Sequence, residues 1–147
     1  MENIFENFTI NILKLNKLVQ KIKNYEMREY GLKTIHVMCG YFLKTRAEGL
    51  TASELSKLTL EDKAAISRAL KTMQEKGLVS YDPNTYNSVI RLTDEGKKFA
   101  DAVCEKATRA VEAGSYDFTE EERLSFYGAL GTIAHNLEEY YDGLIQK

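Results

Sequence analysis

Apolar residues keep a spacing of three and four from Ile4 almost to the carboxyl end of the chain and abandon it once, between Leu78 and Leu92. That spacing lines apolar side chains along one stripe of an α-helix, whereas a strand alternates its faces at every residue. A chain with this pattern is restricted to a set of amphipathic helices interrupted by one small β element. The single proline, Pro83, lies inside the interruption, where it spares every helix.

The helical segments can be placed from their apolar stripes and their ends. Ile4, Phe5, Phe8, Ile12, Leu15, Val19 and Ile22 describe a helix of about five turns reaching Tyr25. After a break at Tyr30-Gly31-Leu32, a second helix spans Lys33 to Arg46 and closes at Glu48-Gly49, where glycine suits a left-handed cap. Thr51-Ala-Ser-Glu54 is a capping box, in which hydroxyl and carboxylate each accept from the other residue's backbone N–H. It opens a short helix to about Leu58. Thr59-Leu-Glu-Asp62 carries a similar signal, with acids for the first turn, before DKAAISRALKTMQEKG, which stops at Gly77.

Leu78-Val-Ser-Tyr81 and Ser88-Val-Ile-Arg-Leu92 are rich in strand-forming residues, with Asp82-Pro83-Asn84 as turn chemistry between them. They predict a hairpin with a loop of about seven residues. Thr93-Asp-Glu-Gly96 starts a helix carrying Phe99, Val103, Ala107 and Val111 to Gly114. Thr119-Glu-Glu-Glu122 starts the last, with Phe126, Leu130, Ile133, Leu137, Tyr141 and Leu144 on one stripe. The expected fold is mostly α with a small β-hairpin wing, a winged helix-turn-helix core flanked by long N- and C-terminal dimerisation helices. At 147 residues the chain is read as one domain, 1–147. Within it, 33–92 forms the winged helix-turn-helix lobe and 1–25 and 115–147 the long end segments, linked by the helix 93–113.

Composition narrows the function classes. With 44% apolar and 29% charged residues the chain can bury a core and stay in solution. No apolar run of about 18 residues occurs and the first residues lack a basic-then-apolar order, so a cytoplasmic protein with no membrane partner is expected. Charge is uneven. Residues 1–50 carry 8 basic and 5 acidic side chains, 51–92 carry 6 and 5, and 93–147 carry 6 and 12. Were the chain to meet nucleic acid, repulsion would hold the acidic third away from phosphates.

Cys39 and Cys104 form no CxxC pattern, and His36 and His135 add no ligand spacing, so no metal is expected. Buried structural thiols are favoured over a redox-sensing pair. No nucleophile elbow, Gly-rich phosphate loop or clustered acid suggests catalysis, and no cofactor is expected.

On a helical wheel, Ile66, Ala69, Leu70, Met73 and Gly77 form the buried face of DKAAISRALKTMQEKG. Ala64, Ala65, Ser67, Arg68, Lys71, Thr72 and Glu75 point away. This outward face is small at first and cationic one turn later. It reads either as a solvated stripe of good helix formers or as a surface shaped for DNA: small residues admit close backbone approach to base edges, serine and arginine bond to them, and lysine meets phosphate.

TASELSKLTLEDKAAISRALKTMQEKGLVSY followed by IRLTDEGKKF resembles the DNA-binding core of MarR-type transcriptional regulators. The resemblance rests on E-L-S after the first cap, D-K-x-x-I-S-R-x-L at the start of the recognition helix, the G-L-V exit and the L-T-x-x-G that follows. The motifs cover about 50 residues and, as a set, are specific. The resemblance implies a homodimer whose end helices interlock, each subunit offering one recognition helix to a pseudo-palindromic operator on double-stranded DNA. It further implies repression relieved by a small aromatic or phenolic effector. By position, Lys63, Ala64, Ala65, Ser67 and Arg68 would face the major groove, with Thr51, Ser53 and Lys71 near the backbone.

The wing departs from that pattern. Residues 82–88 read Asp-Pro-Asn-Thr-Tyr-Asn-Ser, without the arginine that family wings carry near the tip. Asn84 and Asn87 remain as hydrogen-bonding groups for DNA or as turn formers. Arg91, in the second strand, suits a DNA contact or a framework ion pair. A winged-helix protein-interaction module with weakened DNA binding is therefore the alternative function. For the dimer, Ile4, Phe5, Phe8, Ile12, Leu137, Tyr141 and Leu144 carry more apolar surface than a small winged core can cover. Gly128 and Gly131 permit close helix approach or fill space within one subunit. Tyr25, Tyr30, Tyr41 and Tyr116 fit an aromatic pocket or ordinary packing.

Overall fold

A computed structural model of the chain describes residues 3–147; Met1 and Glu2, with which the segments 1–147 and 1–25 begin, lie outside the described residues. Helix α1 spans Ile4–Met27 and passes through a 3-10 turn, Arg28–Tyr30, into α2, Thr34–Thr45. Helices α3, Ala52–Thr59, and α4, Lys63–Glu75, precede strands β1, Val79–Ser80, and β2, Arg91–Leu92. Helices α5, Asp94–Gly114, and α6, Glu120–Ile145, complete the order. This is the mostly helical, winged helix-turn-helix architecture that the periodicity implied.

The chain forms two compact units, Met1–Ala107 and Thr108–Lys147, whose boundary falls within α5. In the first, α4 buries Ile66, Ala69, Leu70 and Met73, the stripe expected from the wheel. Ile66, Leu70 and Met73 join Met27, Val37, Leu43, Leu55, Val79, Ile90, Phe99 and Val103 in one core. Each fully buried Leu, Ile, Met or Phe contributes about 1.5–3 kcal/mol, so this cluster fixes where α4 can lie. Gly77 is exposed, not buried, and has a different task. At φ 73° it turns the chain out of α4 while its N–H donates to Gln74 and that of Leu78 donates to Met73. The paired bonds satisfy the carbonyls that a helix end leaves open.

Several local expectations change. Asp62, not Thr59, caps α4, accepting from Ala65 N–H at 2.7 Å. Thr59 instead ends α3, donating its hydroxyl back to the Leu55 carbonyl. The turn between them puts Leu60 in the left-handed region at φ 61°, so Glu61 and Asp62 precede α4 rather than occupying its first turn. Helix α2 ends at Thr45, with Arg46 as its cap, and Gly49 at φ 93° serves the next step, turning Leu50 into an antiparallel bridge with Ile90. The hairpin is shorter than expected, pairing only Val79 with Leu92 and Ser80 with Arg91, so the connection runs from residue 81 to 90. The bridge to Leu50 and side-chain bonds within the loop supply order that longer strands would have given.

The L-T-x-x-G stretch has a mechanical reason. Thr93 N–H donates to Leu78 O, its hydroxyl donates to Gly77 O, and the same hydroxyl accepts from Gly96 N–H at 3.0 Å. A Cβ on Gly96 would run into the Leu78 carbonyl, so only glycine lets α5 start this close to the exit of α4. Beyond that junction Lys44 pairs with Asp101 at 2.8 Å and Lys106 with Glu26 at 2.7 Å, seating α5 on α2 and on the end of α1.

In the second unit the Thr119–Glu122 capping box opens α6 as expected. Arg123 Nη2 donates to the carbonyl of buried Ser115, whose hydroxyl donates to Val111 O, and Phe118 meets Phe126 edge to face.

Candidate nucleic-acid interface

The capping box of α3 is formed as the sequence implied: Glu54 N–H donates to the Thr51 hydroxyl, and Glu54 Oε2 accepts from Thr51 N–H. Thr51 and Ser53 are thereby held at the mouth of an open cleft of about 730 Å³. Lys63 and Ser67, on the first turns of α4, form another part of its wall, and the loop Asp82–Ser88 closes the side facing them. Of the expected site residues, Thr51, Ser53, Lys63, Ser67 and Asn84 share this cleft. Ala64, Arg68 and Lys71 are exposed on α4 and Ala65 is half-buried, all outside the cleft lining. Arg91, exposed in β2, is also outside it, and forms no ion pair among the described residues. Its stem instead lies over Gly49, where an added Cβ would be 3.0 Å from Arg91 Cγ.

Charge on this surface is one-sided in use. The carboxylates nearest the cleft are turned onto backbone donors: Glu54 onto Thr51, Asp62 onto Ala65. Asp82 accepts from Asn84 N–H at 2.9 Å and from the Thr85 hydroxyl, and those bonds hold its carboxyl below the ordinary range, Thr85 contributing most. Lys63, Arg68 and Lys71 make no ion pair among the described residues. A polyanion could therefore take up these cations without first breaking a salt bridge, while the carboxylates already serve the fold.

Sequence reasoning missed two contributors. Gln74 Nε2 donates to Tyr81 O at 2.8 Å and fastens the base of the wing loop to α4. Tyr86 projects from that loop almost fully into solvent, at 91% exposure. The signal for an ordered loop was present in Asp82-x-x-Thr85, an aspartate followed by donors it can reach.

Residues 42–83 match the family model of the IclR helix-turn-helix domain. Solved structures match nearly end to end. A MarR protein from Peptoclostridium difficile is 21% identical with a TM-score of 0.79, over 98% of this chain and 95% of that one. A MarR transcriptional regulator from Methanosarcina mazei is 20% identical with a TM-score of 0.80, over 95% of this chain and 94% of that one. The chain has the MarR-type fold. A MarR-family regulator from Listeria monocytogenes, complexed with 26mer DNA, has the same fold at 20% identity, with a TM-score of 0.75 over 96% of this chain and 93% of that one. Curated proteins include no match by sequence. In this fold α4 takes the place of the second helix of the helix-turn-helix and residues 79–92 that of the wing, with the cleft between them.

No helix among the described residues is long and apolar enough to cross a membrane, and none of their His, Cys, Asp and Glu side chains gather into a group that could hold a metal ion.

Proposed function

We propose that the protein is a sequence-specific, double-stranded DNA-binding transcriptional regulator of the MarR type. The observation that carries the reading is the outward face of α4, on which Ser67, Arg68 and Lys71 stand exposed beside a wing-bounded cleft, the two cations in no ion pair among the described residues. Lys63, Ser67 and Arg68 face the major groove, where Ser67 and Arg68 reach base edges, while Lys71 meets phosphate. Thr51 and Ser53, at the amino end of α3, hold the backbone of the neighbouring strand.

The working unit is a homodimer on a pseudo-palindromic operator. Helix α1 buries only Met27 among its residues and α6 buries none, leaving Phe5, Phe8, Ile12, Leu137, Tyr141 and Leu144 exposed. Apolar surface of that extent is covered by a partner in a soluble protein, here a second copy. A Cβ at Gly128 or Gly131 would meet nothing within 4 Å, so both leave α6 open to close approach by that copy. The protein acts in the cytoplasm as a repressor, released by a small aromatic or phenolic effector.

The test is a selection of duplexes from a random pool, followed by titration of the selected duplex at two salt concentrations with wild type and Arg68→Ala. Enrichment of a two-fold-related sequence, a steep fall of affinity with salt and a loss of about 1–3 kcal/mol in the variant are expected. Weak binding indifferent to sequence, with unchanged affinity in the variant, would instead support a protein-interaction module. The base-free wing, residues 82–88, is what favours that second reading.

A further inference from the structure

We infer that Tyr86 is a neutral DNA anchor, its phenol O–H donating to an acceptor on the duplex backbone or minor-groove floor beside the site faced by α4; the inference rests on the proposed DNA-binding function. Tyr86 is the most exposed large apolar or aromatic side chain among the described residues, at 91%, yet it lines the same cleft as Lys63 and Ser67. Exposure of this kind would be unremarkable on a loose loop. This loop is pinned at both ends.

Asp82 N–H donates to Ser88 Oγ at 3.0 Å, closing the base of the loop, and Gln74 ties that base to α4. Asp82 in turn accepts from Asn84 and Thr85, and Ser88 N–H donates to Thr85 O at 3.3 Å. Asn87, at φ 52°, reverses the chain immediately after Tyr86, and the two residues lie inside the turn that the Ser88–Thr85 bond closes. Left-handed backbone at a non-glycine residue costs free energy, which the bonds around it offset, and the side chains of Asp82, Thr85 and Ser88 serve that order. The Tyr86 phenol takes no part in it and has no hydrogen-bond partner among the described residues.

A rigid loop presenting a phenol that no protein group occupies loses little entropy when that group binds, because a tyrosine has only two side-chain torsions to fix. The loop offers no cation, so attraction to phosphate by charge is absent here. What it offers is an O–H donor, and phosphate oxygens and the A·T minor-groove floor present acceptors. A neutral donor adds affinity without counterion release, so its contribution is independent of salt.

The experiment titrates the selected duplex with wild type, Tyr86→Phe, Tyr86→Arg and Arg68→Ala across a salt series, with thermal melts confirming that each variant folds. Tyr86→Phe is expected to weaken binding about two- to tenfold, with an unchanged slope of log affinity against log salt. Tyr86→Arg is expected to steepen that slope by about one, because the new charge reaches phosphate. Wild-type affinity in Tyr86→Phe, or an unaltered slope in Tyr86→Arg, would overturn the inference. If Arg68→Ala weakens binding while both Tyr86 variants behave as wild type, the anchor alone is wrong; if Arg68→Ala has no effect either, the DNA-binding function fails with it.

Discussion

Gln74 Nε2 donates to the main-chain carbonyl of Tyr81 across 2.8 Å, joining the last turn of α4 to the first residue of the wing loop. Both residues are half-buried, so water is a poor substitute for the lost donor. The two elements that bound the cleft are therefore held by one side chain as well as by the short strands.

Replacing that side chain by leucine keeps its bulk and removes the donor. Gln74→Leu is expected to lower unfolding free energy by about 0.5–1.5 kcal/mol and to speed hydrogen exchange of the amides of Asp82, Thr85 and Ser88. Urea titration and exchange measured by NMR read the two effects. Unchanged exchange in the loop would show that the wing is ordered without α4.

Lys71 stands one turn after Ser67, exposed and without an ion pair among the described residues. Lys71→Ala is expected to weaken binding to selected and to scrambled duplexes alike and to lessen the salt slope by about one. Stability should move by no more than about 0.5 kcal/mol. A change confined to the selected sequence would mean that Lys71 reads bases.

Gly96 sits where a Cβ would strike the Leu78 carbonyl. Gly96→Ala must push the start of α5 away from the exit of α4, at a cost of about 1–3 kcal/mol, although alanine is the better helix former. Gly114 provides the control, since a Cβ there meets nothing within 4 Å. Thermal melts showing Gly96→Ala as stable as wild type would contradict the close junction.

His36 is buried, with Nδ1 accepting from Lys33 N–H at 2.9 Å, and burial holds its pKa below the ordinary 6.5, Lys33 and Lys76 adding to the effect by their charge. The unfolded chain therefore takes up this proton at higher pH than the folded one. The contribution of neutral His36 is complete above pH 6.5 and declines as pH falls from 6.5 toward the lowered folded value. Unfolding by urea at pH 7.5 and 5.5 should show a drop of up to about 1.4 kcal/mol per pH unit within that window, absent in His36→Gln. An equal drop in that variant would assign it to other groups.

Cys39 is fully buried, and burial pushes its thiol up to about 12, the carboxylate of Glu61 adding to the rise. Alkylation near neutral pH should reach Cys39 only as fast as the chain unfolds, while half-buried Cys104 reacts sooner. Mass spectrometry of partly alkylated protein distinguishes the two thiols; early modification of Cys39 would mean that the core opens locally.

The sequence by itself determined the order and type of the elements and the buried stripe of α4, because both follow from local spacing and capping that no distant residue needs to endorse. Ile66, Leu70 and Met73 point inward for the same reason they read as a stripe, and Thr51–Glu54 and Thr119–Glu122 cap their helices with side chains three residues apart. Tertiary structure decided what depended on partners far along the chain. Gly49 became the turn into a bridge because Leu50 pairs with Ile90, and Gly96 owes its necessity to Leu78. The wing acquired its order from Gln74 and from bonds that close a ten-residue connection, and this is how Tyr86, unremarkable as a letter between two turn formers, came to stand at the edge of the cleft. Local chemistry selects an element and its faces; only the packing of one element on another decides which exposed side chains are held in place to meet a partner.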